Sequence, residues 1–141
     1  MAHLSQTELL ALFKAWLAAW DAHDLGGVMA PMHDAVMFEN WTGATVTGKR
    51  ALRRAWAPWF QNHGGFRFSE EDVFVDVAAQ KLLFRWCLAW PSPDATTHGH
   101  TELRRGVDVL HFVDGKIHRK YSYSKTTTTI TVTQDTRGSL T

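Results

Sequence analysis

The chain has 141 residues, of which 45% are hydrophobic and 21% charged, a length and composition typical of one globular domain and not of a disordered chain. Its 15 Lys and Arg nearly balance its 14 Asp and Glu, which leaves a formal net charge of +1. Nucleic-acid-binding domains usually gather a basic excess on one face, so we expect no nucleic-acid partner.

The cysteine count and the distribution of apolar residues bear on disulfides and on membrane insertion. A single cysteine, Cys87, excludes an intrachain disulfide and suits a reducing compartment. No apolar stretch approaches the ~20 residues that span a bilayer, and residues 1–6 lack the pattern of a signal peptide. We therefore expect a soluble, cytoplasmic protein with no membrane partner.

Three helices are predicted in the first half of the chain. Ser5 followed by Glu8 is the pattern of a capping box, and apolar residues then recur every three or four positions. Asp24 predicts the cap of a short second helix. The third helical pattern, over residues 52–60, contains Pro58, where we expect a kink or a break into two pieces.

Strands are predicted mainly in the second half, because the apolar period there changes from helical to alternating. A short strand at 35–40 precedes the third helix, and a loop is predicted at 91–99. The other predicted strands lie at 73–77, 82–90, 101–113 and 117–125, the last two joined by the turn Asp114-Gly115-Lys116. Helices first and antiparallel strands later are typical of an α+β domain with helices on one face of a curved sheet.

Four stretches of the sequence carry a family resemblance when they are taken together. They are Trp16–Leu25, His33–Asn40, Gly48–Leu52, and Arg105–Phe112 followed by Asp114–Ile117. In this order they resemble the nuclear transport factor 2-like superfamily, which includes ketosteroid isomerases, SnoaL-like polyketide cyclases and limonene epoxide hydrolases.

The resemblance implies a cone-shaped domain over residues 1–125. In it, a curved, mixed and largely antiparallel sheet wraps around three helices and encloses a pocket, and such domains commonly form homodimers. Residues 126–141 form a Thr-rich tail that either extends a strand through Ile130 and Val132 or is disordered beyond Gln134.

The resemblance also implies roles for individual residues. Glu39 falls where ketosteroid isomerases keep the carboxylate that moves the proton, and Asp108 falls where they keep an acid that hydrogen-bonds the oxyanion. Trp16 falls near the position of their oxyanion tyrosine. Limonene epoxide hydrolases use an arginine with carboxylates, and Arg104 shares a strand face with Asp108 here.

Asp108 is also the principal candidate from the residues alone. It shares a strand face with Leu110 and Phe112, which should point toward the core. A carboxylate in that position needs a hydrogen-bond partner, a proton or a polar ligand group. An ion pair with Arg104, without chemistry, is the alternative.

Aromatic side chains supply the rest of the predicted pocket. Seven tryptophans in a small domain suit either an aromatic core or a lined cavity. Tyr121 and Tyr123 share a face of the last predicted strand, and either could supply the phenol that the first helix lacks. The predicted contacts of an apolar small-molecule ligand are Trp16, Trp20, Asn40, Trp56, Phe60, Trp86, Trp90, Arg104 and Tyr121.

No cofactor or metal is expected. The sequence has no Gly-rich phosphate loop, and His98 and His100, which could share a strand face, lack an obvious set of further ligands.

Two functions remain open. One is an isomerase, cyclase or hydrolase that uses Asp108 and Glu39 as acid and base on an apolar cyclic or aromatic substrate. The other is a non-catalytic ligand-binding or dimerisation domain. Apolar residues on both faces of the predicted strands, such as Leu83 and Cys87 opposite Trp86, indicate a covered outer face and hence a homodimer.

Overall fold

Two of the three helices of the described chain begin at the predicted capping residues, Ser5 and Asp24. A computed structural model describes residues 3–91, 101–125 and 130–132. Its helices are α1 (Gln6–Asp21), α2 (Leu25–Met29) and α3 (Lys49–Gln61). Ser5 and Glu8 form the capping box in both directions at the start of α1, and the side chain of Asp24 accepts a hydrogen bond from the Gly27 backbone N–H in α2.

Of the kink or break predicted at Pro58, the break is wrong, because α3 runs from Lys49 to Gln61 through this proline. Proline lacks an N–H, so the helix loses only the bond that would reach the Arg54 carbonyl. Arg54 is exposed, and helical bonding continues beyond the proline, where Asn62 N donates to Pro58 O at 3.0 Å.

Within the described residues, seven strands form one sheet in the order β2-β1-β6-β5-β4-β3, with β7 paired to β5. The strands are β1 (Met32–Glu39), β2 (Thr45–Thr47), β3 (Arg67–Asp76), β4 (Lys81–Pro91), β5 (Thr101–Val113), β6 (Lys116–Ser124) and β7 (Ile130–Val132). Only β1 and β6 pair in parallel among these strands, so the sheet is mixed and largely antiparallel. The predicted α+β class and curved sheet are confirmed.

Strand β7 prolongs the pairing of β5 where β6 ends. β6 pairs with β5 from Val113 back to Gly106, and β7 pairs with Thr101–Leu103 on the remaining length. The predicted loop after Pro91, the histidines His98 and His100, and the tail beyond residue 132 lie outside the described residues.

The core lies between the helices and one face of the sheet. α1 packs against β3, and α3 packs against β1. Because side chains alternate along a strand, β4 turns Leu82, Phe84, Trp86 and Leu88 inward, and all four are buried. The opposite, outer face of the sheet carries half-buried and exposed side chains.

In the part of the chain that the structure describes, no helix is long and apolar enough to cross a membrane.

Candidate functional site

A cavity of about 290 Å³ lies between the inner face of the sheet and helices α1 and α3. All seven tryptophans of the chain line it. On α1 and α3 the spacing accounts for this placement, since residues three or four apart share a helix face. The tryptophans are Trp16 and Trp20 on α1, Trp56 and Trp59 on α3, Trp86 and Trp90 on β4, and Trp41 after β1.

The aromatic walls are packed ring to ring. Trp20 lies at the centre, with its ring centroid 5.7 Å from that of Trp16 and 5.0 Å from that of Trp56, both in edge-to-face geometry. Three phenylalanines, Phe38, Phe68 and Phe84, complete the aromatic lining. Such a surface favours a flat, apolar ligand.

A buried polar cluster interrupts this apolar lining. The Asp108 Oδ1 atom accepts hydrogen bonds from Trp86 Nε1 at 3.1 Å and from Ser122 Oγ at 2.7 Å. Lys120 Nζ lies 3.2 Å from the other oxygen, Oδ2, and donates to Ser122 Oγ at 2.6 Å. Asp108, Lys120 and Ser122 are each less than a tenth exposed and line the cavity.

The sheet register brings the cluster together. Asp108 on β5 lies directly opposite Ser122 on β6, and Trp86 on β4 lies opposite Gly106. A side chain at Gly106 would collide with the Trp86 ring and with the Tyr123 carbonyl oxygen. The glycine therefore lets the indole lie across β5 and reach the Asp108 carboxylate.

Burial and neighbouring charge act in opposite directions on Lys120. Burial lowers the pKa of its ammonium group, the Asp108 carboxylate partly offsets this, and the net result is a pKa below the ordinary value of 10.5. The Nζ atom also lies 4.6 Å from the ring centroid of Phe38 and 5.8 Å from that of Trp56. Lys120 therefore gives up its proton more readily than an exposed lysine does.

Trp20 has an unused donor at the cavity wall. Among the described residues its Nε1 has no hydrogen-bond acceptor, although the atom is buried. The indole N–H groups of Trp16 and Trp90, by contrast, donate to Val28 O and Glu102 Oε1.

Two predicted site residues point away from the cavity. Glu39 follows the inward-facing Phe38 on β1 and therefore lies on the outer face, opposite Tyr121 in the register with β6. Tyr121 packs against the ring of His111 at 5.3 Å between centroids. Neither residue lines the cavity, so Glu39 is not placed to act as its acid or base.

Two further predicted residues do not line the cavity. Phe60 is buried against Trp20 and Trp59 rather than in the lining. The Arg104 guanidinium lies 5.1 Å from the ring centroid of Trp41, and its Nη2 is 3.4 Å from Glu102 Oε1. Asp108 pairs with Lys120, so the alternative of an ion pair between Arg104 and Asp108 is wrong.

The remaining predicted residues do meet at the cavity: Asp108, Asn40, Trp16, Trp20, Trp56, Trp86 and Trp90. Sequence reasoning missed Lys120 and Ser122. Plain alternation from Ile117 would turn residues 119, 121 and 123 inward, but the register slips between the pairs Phe112–Ile117 and His111–Arg119. This bulge adds one residue to β6, so that Lys120 and Ser122, and not residues 119, 121 and 123, point toward the cavity.

Within residues 3–91, 101–125 and 130–132, no three His, Cys, Asp or Glu side chains come together in a way that could hold a metal ion.

Known proteins share this architecture. The structure of an NTF2-like protein of unknown function from Mesorhizobium loti is 19% identical in sequence, with 89% of this chain and 97% of that chain covered and a TM-score of 0.71. A computationally designed 17-OHP binder is 19% identical, with 92% and 100% covered and a TM-score of 0.73. An LEH-like epoxide hydrolase from M. tuberculosis is 20% identical, with 85% and 84% covered and a TM-score of 0.68.

At these identities the likeness concerns the fold alone. A comparison with curated proteins finds no match. The model of the SnoaL-like domain, however, matches residues 13–120, which is most of the chain and includes β5 and the inward-facing Lys120 of β6. The chain therefore belongs to the SnoaL-like domain family of the NTF2-like superfamily.

Proposed function

We propose that the chain binds a largely apolar cyclic or aromatic molecule in the tryptophan-lined cavity and transforms it by acid–base catalysis, without a cofactor, as an isomerase, cyclase or hydrolase. The observation that carries this proposal is the Asp108 carboxylate, which is buried in the cavity wall with Lys120 Nζ 3.2 Å from its Oδ2 atom. A carboxylate and an amine that share a proton inside an apolar cavity are a usual acid–base arrangement.

Relatives of the same fold support an apolar ligand. One of them is a designed 17-OHP binder, and another is an epoxide hydrolase. The sequence suggested Glu39 as the second acid–base group beside Asp108. In this proposal Lys120 has that role, because it lines the cavity and Glu39 does not.

A non-catalytic ligand-binding role is the second candidate, and the partners of Asp108 favour it. Trp86, Ser122 and Lys120 already supply three donors to the carboxylate. A carboxylate so fully partnered is suited to holding Lys120 in place to meet a polar group of the ligand.

Asp108→Asn separates the two candidates. If Asp108 transfers a proton, turnover of a β,γ-unsaturated ketosteroid or of limonene epoxide should fall about 100-fold or more, the scale of lost acid–base catalysis, while ligand affinity by calorimetry stays nearly unchanged. The control is Asp34→Asn, because Asp34 is exposed on β1. Ligand binding without turnover of either substrate by the wild type would favour the second candidate.

We also propose that the outer face of the sheet forms a homodimer interface. The register aligns an apolar row across four strands, consisting of Phe74, Leu83, Val109 and Tyr121. Phe74 is 57% exposed and Tyr123 is 56% exposed. Exposed apolar surface of this kind is typical of an association site.

A cytoplasmic location is proposed from Cys87. Its thiol is half-buried on the outer face of β4, and burial raises its pKa, so it is suited to remaining a reduced thiol. Cell fractionation followed by immunodetection of the chain tests this location.

A further inference from the structure

We infer that Lys120 is a carbonyl-reactive amine, and that the cavity accepts an apolar aldehyde or ketone whose carbonyl carbon forms an imine with Lys120 Nζ. The inference rests on the proposed function only in requiring that an apolar molecule enters the cavity. It does not depend on proton transfer by Asp108 to any other substrate.

The position of the amine carries the inference. Lys120 is the only one of the six lysines that lines the cavity, and all six lie in the described part of the chain. Its side chain is 7% exposed. Lys14, Lys81, Lys116 and Lys125 are exposed, and Lys49 is half-buried. An apolar molecule that enters the cavity therefore meets one amine.

The neighbours of Lys120 suit both protonation states that imine formation needs. The attacking amine must be neutral, and burial lowers the pKa of Lys120. The Asp108 Oδ2 atom, 3.2 Å from Nζ, is within reach to accept its proton, and Ser122 Oγ accepts a hydrogen bond from Nζ at 2.6 Å. The faces of Phe38 and Trp56 lie close enough to stabilise the cationic iminium.

The reaction balances without an oxidant or a reductant. Asp108 accepts a proton from the Lys120 ammonium, and the neutral Nζ then adds to the carbonyl carbon to form a C–N bond. The carbonyl oxygen takes the proton from Asp108, which gives a carbinolamine. Asp108 then takes a proton from the nitrogen and passes it to the hydroxyl group, so that cleavage of the C–O bond releases one water and leaves the protonated C=N bond of the imine.

Reductive trapping tests the inference. The protein is incubated with 2-naphthaldehyde and sodium cyanoborohydride, which converts an imine into a stable secondary amine. Intact-mass spectrometry should show one adduct per chain, and peptide mapping should place it on Lys120. Excess naphthalene, which has no carbonyl group, should suppress labelling by competing for the cavity.

Two variants sharpen the experiment. Lys120→Arg keeps the positive charge but should lose the adduct, whereas Lys125→Met should keep it. Peptide mapping of the wild type gives the same answer if the Lys120 variant does not fold. Labelling spread over the exposed lysines would overturn the inference.

The proposed function and this inference fail differently. Naphthalene that binds by calorimetry, with Lys120 unlabelled by the aldehyde, would overturn imine formation and leave the apolar cavity site standing. If naphthalene does not bind and Lys120 is not labelled, both are overturned.

Discussion

At the scale of single residues, the Asp108–Lys120 pair dominates the site. Two opposite charges buried together are costly to desolvate, and the cost is repaid only when each finds close partners. Here Ser122 accepts from Lys120 and donates to Asp108, and Trp86 adds another donor. The stability of the pair therefore depends on the hydrogen bonds of Ser122 and Trp86 as well as on the attraction between the two charges.

The stability lost when both members of the pair are replaced should be smaller than the sum of the losses in the two single variants. Lys120→Met leaves a buried carboxylate without its cation and should lower the free energy of unfolding by about 3 kcal/mol, the lower end for a broken buried pair. Asp108→Asn in the same chain should recover part of that loss. Urea unfolding of the wild type, the two single variants and the double variant measures the coupling. Strictly additive losses would show that the two side chains do not interact.

The lowered pKa of Lys120 predicts how stability changes with pH. The unfolded chain binds this proton more tightly than the folded protein does, so folding becomes more favourable as the pH rises through the folded-state pKa toward 10.5. Relative to Lys120→Met, the wild type should gain unfolding free energy from neutral pH to about 10.5. Lys125→Met, which removes an exposed lysine outside the cavity, is the matched control for the loss of a lysine side chain. A wild-type advantage that shrinks with pH would contradict the direction of the shift.

At the scale of elements, the regular β5 and the bulged β6 explain what sequence reasoning found and what it missed. Alternation along β5 was regular, so the cavity-facing position of Asp108 could be predicted. The position of Lys120 could not be predicted, because one extra residue at the bulge reverses the facing of β6. The helices were predictable because their caps and apolar spacing are local signals, whereas a bulge is set by pairing with another strand.

Glu39 shows the other limit of the sequence. The motif around β1 resembles the family closely enough to locate the strand, but it does not determine which side chains point inward. A shift of one residue exchanges the two faces of a strand. Phe38 is the residue that points inward, and Asn40, just beyond the strand, lines the cavity.

Gly106 is predicted to control the fit of Trp86 against β5. In Gly106→Ala the added methyl group collides with the Trp86 ring and the Tyr123 carbonyl oxygen, so we expect a loss of roughly 1–3 kcal/mol, typical of overpacking, and weaker ligand binding. Thermal unfolding and calorimetry measure the two effects. Gly26→Ala is the control, because a methyl group there meets only Asp24 Oδ1 at 3.5 Å. Unchanged stability and affinity in Gly106→Ala would show that Trp86 can move aside freely.

At the scale of the whole molecule, the sheet separates two surfaces of different character. Its inner face holds the cavity, and its outer face carries the apolar row that runs from Phe74 to Tyr121. Because side chains alternate along a strand, the same strands contribute residues to both surfaces.

The outer face predicts a dimer in solution. Light scattering at micromolar concentration should give twice the mass of 16.0 kDa. Tyr123→Arg should shift the protein toward monomer, because it places a charge on the exposed apolar face. Lys14→Glu, on the exposed side of α1, should leave the mass unchanged. A monomeric wild type would rule out this interface.

The division of the aromatic residues between the two faces gives the protein an intrinsic fluorescent reporter of its cavity. All seven tryptophans line the cavity, whereas both tyrosines, Tyr121 and Tyr123, lie on the outer face. Indole emission, excited at wavelengths where tyrosine does not absorb, therefore comes only from the walls of the cavity. Ligand entry can thus be followed by fluorescence in the unlabelled wild-type protein, without a contribution from the outer face of the sheet.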